Sequence, residues 1–183
     1  MLKSMRPRGQ AGFSTVELLA VVAMVGIMAA IAITSYRKWL DYSRTAQTKD
    51  LVLHLAGAEE AFYADNDAYL DCSSSYALPT LYPMPPNDRK HAFFNQTHAD
   101  HPCFRHLNVS ADTATYASFA VRAAGPSQAI PAPPTTKPLP NPPVDKPWYV
   151  VYAASDKDND GTPESMFTTS FAPSEVNTEQ EGE

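Results

Sequence analysis

Apolar and polar residues segregate sharply along the chain. The first twelve residues carry Lys3, Arg6 and Arg8 and no acid. From Leu18 to Ile33, sixteen consecutive residues are all Ala, Val, Leu, Ile, Met or Gly, and Arg37 and Lys38 close the run. At about 1.5 Å per residue, Phe13 to Tyr36 makes roughly 36 Å of helix, enough to cross a hydrocarbon layer of about 30 Å. Beyond Arg37 the pattern turns amphipathic. Leu51, Leu55, Ala58 and Phe62 recur at helical spacing, while Asp41, Arg44, Lys49, Asp50, Glu59 and Glu60 read as mostly solvent-facing. No proline interrupts Phe13 to Ala64, so one helix is predicted, apolar over 13–36 and amphipathic over 37–65.

The rest of the chain changes period. Thr113 to Ala123, Trp148 to Ala154 and Ser165 to Phe171 read as strands, the last two joined in a hairpin around Asp156-Lys157-Asp158-Asn159-Asp160-Gly161. Asp71 to Asn108 is punctuated by Pro79, Pro83, Pro85, Pro86 and Pro102 and reads as loop. Nine prolines in the 23 residues of 125–147 exclude a helix or a central strand there. That segment is expected to be an extended surface connector with polyproline character. The acidic stretch 174–183, with Glu175, Glu179, Glu181 and Glu183, is expected to be a frayed tail. The fold class is therefore α+β: a long N-terminal helix packed against a small antiparallel sheet of three or four strands, in a head spanning 66–173.

Composition narrows the function. Of the 183 residues, 44% are apolar and 19% charged, which supports one packed domain and excludes global disorder. A net charge of −6 argues against a whole-chain footprint for nucleic acid. There is no phosphate-cradling glycine loop, no G-x-S-x-G elbow and no H-E-x-x-H pair. The chain is thus read as no enzyme, with no cofactor required.

Glu17 decides how the apolar run is read. A signal peptide cut near Ala29-Ala30-Ile31-Ala32 and an ordinary membrane anchor both leave it unexplained. A carboxylate in a membrane helix costs roughly 2.5–3.5 kcal/mol, somewhat less near the interface. Gly12-Phe13-Ser14-Thr15-Val16-Glu17-Leu18-Leu19, behind a basic dodecapeptide, resembles the processing signal of type IV pilins and secretion pseudopilins. The resemblance implies cleavage between Gly12 and Phe13 by a prepilin peptidase and N-methylation of Phe13. It also implies assembly directed by the Phe13 amine and Glu17, the cation of one subunit meeting the anion of a neighbour. Implied partners are copies of the chain or other pilins, the membrane before assembly, and an assembly machinery with an ATPase. The implied locations are the inner membrane for the precursor, then an extracellular pilus or a periplasmic pseudopilus. A major pilin, a minor pilin, a type II secretion pseudopilin and a non-polymerising tethered module such as a DNA-uptake receptor all remain open. The family often has proline where this chain has Thr34, whereas Gly26 matches a common family glycine.

Three groups in the head carry candidate chemistry. Cys72 and Cys103 lie on the exported side of this topology and are expected to form a disulfide. Asp156, Asp158, Asp160 and Gly161 match the opening of a calcium loop, with Glu164 at its ninth position. Phe167 occupies the twelfth position, where an EF-hand requires glutamate, so a non-EF-hand calcium site and a solvated turn are the two readings. His98, His101, Cys103 and His106 suggest zinc by residue type, but Cys103 suits the disulfide better.

Overall fold

The computed structural model describes residues 12–111, 113–139 and 144–179. The leader up to Ala11 and the last four residues lie outside them. The chain forms two compact units, one ending at Leu40 and the other beginning at Asp41.

The described part of the first unit is helical from Thr15 onward. Helix α1 spans Thr15–Asn66 and continues into the second unit. Gly26 and Thr34 do not break it; the Thr34 hydroxyl donates to the Ile31 carbonyl at 2.9 Å, a bond a proline could not make. Every apolar side chain from Phe13 to Ile33 is exposed.

The second unit packs the remainder of α1 against a sheet of order β1-β2-β3-β4, antiparallel throughout. The strands are β1 Ser118–Ala124, β2 Trp148–Ser155, β3 Glu164–Thr169 and β4 Ala172–Glu179. Side chains alternate between the sheet faces. Phe119, Val121, Ala123, Tyr149, Val151, Ala153 and Met166 meet Val52, Leu55 and Ala56 of α1 in one core. Ala120, Trp148, Val150, Tyr152, Ala154 and Phe167 form a second core on the opposite face.

The proline-rich segment covers that second core. Ile130 and Leu139 pack on it, and the Trp148 indole donates to the Gln128 carbonyl at 3.0 Å. The expected connector is thus a strap over an apolar sheet face. At the far edge, loop backbone pairs with β1: Cys72 and Ser73 donate to the Val121 carbonyl, and Tyr82 exchanges bonds with Phe119.

Three further expectations change. The loop 71–108 contains a short helix α2, His101–His106, which buries Phe104. The expected tail forms β4 as far as Glu179, paired to β3. Glu59, expected among the solvent-facing residues, is fully buried.

Candidate functional sites

At the start of α1, Ser14 and Glu17 clasp each other. The Ser14 amide and hydroxyl donate to Glu17 Oε2 at 2.8 and 2.9 Å, and the Glu17 amide donates to Ser14 Oγ at 3.2 Å. This reciprocal box satisfies backbone donors that a helix start leaves open. The S-x-x-E spacing was legible in the sequence as a capping box, a signal beside the charge argument for Glu17. The clasp fixes the carboxylate at the helix entrance, close in sequence to Phe13, whose side chain is 90% exposed. Gly12 is exposed as well.

Cys72 and Cys103 form the disulfide, with Cα atoms 5.2 Å apart. It ties the segment that edges β1 to α2, whose Phe104 stacks on Tyr82 with Phe93 edge-on to both. The bond removes Cys103 from any zinc set. His98 and His101 are engaged elsewhere: both rings pack on Tyr82, and His98 Nδ1 accepts from the Asp100 amide.

The acidic turn brings Asp156, Asp158 and Asp160 together, with one carboxylate oxygen from each lying within 4.8 Å of the others. Among the described residues this is the one cluster of three or more such groups. Asn159 and Gly161 take positive φ, 59° and 85°, which curls the backbone around the carboxylates. Three amides close the curl: Asp160 onto Asp158, Gly161 onto Asp156 Oδ2, and Thr162 onto Asp160. Asp156 is 7% exposed, and its Oδ1 is buried without a hydrogen-bond partner.

Glu164 does not join this cluster, which corrects the fourth candidate ligand. It turns inward to Lys157, Nζ to Oε2 at 2.6 Å, with both side chains buried. The Thr45 hydroxyl lies 3.0 Å from each Glu164 oxygen and 3.1 Å from Lys157 Nζ. A buried cation requires a buried anion, so the lysine inside the acidic turn draws the glutamate away from it. That pairing depends on Thr45, 119 residues from Glu164, and spacing gives no sign of it.

A second buried acid went unseen. Glu59 Oε2 accepts the Leu70 amide at 2.9 Å, while Oε1 is buried without a partner. Burial pushes its carboxyl up to about 7; the Leu70 bond opposes this, and Asp71 and Glu60 add to it. Nearby, Tyr69 donates to Glu60 and packs edge-on against Tyr149.

The chain thus has an exposed apolar helix opening on a glutamate, a head built on the rest of that helix and one sheet, and, among the described residues, no catalytic constellation. The helix and the head together define a pilin-like structural subunit. Relatives agree. The chain is 38% identical over 65 residues to the type IV major pilin protein PilA of Myxococcus xanthus, covering 36% of this chain and 29% of that one. It is 32% identical over 84 residues to the type IV major pilin protein PilE1 of Neisseria gonorrhoeae, covering 44% and 47%. It is 27% identical over 100 residues to the type II secretion system core protein G of Pseudomonas aeruginosa, covering 52% and 70%. The chain therefore spans less than half the length of those two pilins. No family model matches it, and no solved structure does. The long helix and four-stranded sheet accord with these likenesses to type IV pilins and a secretion pseudopilin.

Proposed function

We propose that this chain is made as a membrane-anchored precursor, cut between Gly12 and Phe13, methylated at Phe13, and polymerised through α1 into a type IV pilus. The observation that carries this reading is the exposure of a membrane-length apolar helix whose one carboxylate, Glu17, is clasped at its entrance. In lipid the apolar side chains are solvated by acyl chains. In a filament they pack against other helices, and Ala20, Ala23, Gly26, Ala29 and Ala30 allow close approach. The amine created at Phe13 supplies the counter-charge that a buried Glu17 needs. A prepilin peptidase and an assembly ATPase belong to this proposal, as do an inner-membrane precursor and an extracellular filament. N-terminal sequencing of the mature protein should begin at a methylated Phe13, and Glu17→Ala should be processed yet leave filaments scarce. A different mature terminus, or wild-type filament yield from the variant, would overturn it. A periplasmic pseudopilus is the second reading, favoured by the 70% coverage of the secretion core protein. Isolated surface filaments built mainly of this chain would exclude it.

We further propose that the 156–160 turn binds calcium through Asp156, Asp158 and Asp160. A hard cation fits an all-oxygen set, and the partnerless Asp156 Oδ1 offers it a buried anionic ligand. Millimolar calcium should raise the melting temperature of the chain in detergent, and Asp156→Asn should abolish the rise. No shift in the wild-type chain would retire the site.

A further inference from the structure

The exit end of the apolar helix carries a second exposed feature. Tyr36 and Trp39 lie one turn apart, stacked with ring centroids 6.1 Å apart and planes at 26°. They are 59% and 63% exposed, so two large rings form one face with no protein over it. Arg37 and Lys38 stand between them in sequence, and both are exposed. Among the described residues neither has a carboxylate within 4 Å, since the four ion pairs use other cations. From Phe13 to Leu40 the acid is Glu17 alone, about 30 Å of helix from Arg37; the next acid, Asp41, pairs with Arg44.

We propose that Tyr36, Arg37, Lys38 and Trp39 are a lipid-headgroup site, in which the rings seat at the membrane boundary and the two cations bind the phosphates of anionic phospholipid. This rests on the reading that 13–36 spans a membrane before assembly. Three physical facts favour lipid over a second copy. Amphipathic rings gain most where an apolar body meets a wet rim, and the sequence places them where its apolar run ends. A protein partner burying Arg37 and Lys38 must supply two anions, whereas the apolar helix of another copy offers only Glu17. A phosphate-bearing surface supplies them without ordering a partner, and each basic residue near it raises affinity about fivefold, so the pair gives about 25-fold.

The chain has two tryptophans, and Trp148 is buried in the head, so Trp39 dominates quenching by lipid. The full chain is reconstituted into phosphatidylcholine vesicles with an equal fraction of either brominated phosphatidylglycerol or brominated phosphatidylcholine. Trp39→Phe measures the Trp148 background. The expected result is several-fold stronger quenching by the anionic lipid, falling to equality in Arg37→Gln/Lys38→Gln. Equal quenching in the wild-type chain, or an unchanged preference in the double variant, overturns the headgroup site. Quenching by neither lipid in a chain that stays membrane-embedded means another copy covers Trp39, which also overturns it. Carbonate extraction separates the underlying reading: a chain washed off both vesicle types does not span, and the failure then lies there.

Discussion

Replacing Glu59 with glutamine isolates a pH dependence that the head should show. The carboxyl is held at about 7 in the folded chain by burial, against 4.5 for an unburied glutamate. Its folded value is raised, so the neutral form is the one the core favours. The stability it permits is complete below about pH 4.5 and declines as pH rises through the window up to about 7. Above that the loss is complete and the contribution is flat. The full difference across the window is about 3 kcal/mol, since each tenfold change in proton affinity is worth roughly 1.4 kcal/mol. Glutamine keeps an oxygen for the Leu70 amide and carries no titrating proton. Urea unfolding of the full chain in detergent, run between about pH 4.5 and 8, supplies the free energies. The wild-type chain should lose stability relative to Glu59→Gln as pH rises, the gap between the curves changing by about 3 kcal/mol. The absolute offset between them is not diagnostic, because the new amide donor also needs a partner. Curves that stay parallel throughout would refute the reasoning and mean that Glu59 ionises freely in the core.

Lys157→Met strands Glu164 in the core with Thr45 as its remaining described partner, and should cost about 3–5 kcal/mol in the same urea assay. Adding Glu164→Leu should recover most of that loss, and a double variant as unstable as the single one would count against a charge origin. Cys72→Ala/Cys103→Ala opens a crosslink of sequence separation 31 and should lower stability by about 3–4 kcal/mol. Unchanged urea midpoints for that variant would show that α2 and the β1 edge hold together without it.

The long helix announces itself by an unbroken apolar run, and β2 by a composition that burial on both faces sets. The run Leu18 to Ile33 and the strand Trp148-Tyr149-Val150-Val151-Tyr152 leave few alternatives. The uninterrupted apolar character of that strand also carries a message about its second face, since a strand apolar at every position must be covered on both sides. The cover is the strap around Ile130 and Leu139, whose prolines exclude regular structure without excluding packing. Helix α2 is too short, at six residues, to show a period. Strand β4 hides because an edge strand keeps polar side chains, as its exposed Ser174 and Glu175 do. Glu59 was read as solvent-facing and Glu164 as a ligand of the acidic turn for one reason: their partners, Leu70 for one and Lys157 with Thr45 for the other, leave no mark in the spacing.

The Thr45–Glu164–Lys157 knot also bears on mechanics. In the filament proposed for this chain, traction would enter each head along α1, and the knot is an early point where that helix grips the sheet. A buried ion pair resists shear through direct, short-ranged bonds, whereas an apolar patch slides and re-forms. Subunits lacking the knot should let their heads peel from the shaft at lower pulling force, even where their resting stability has been restored by apolar replacement.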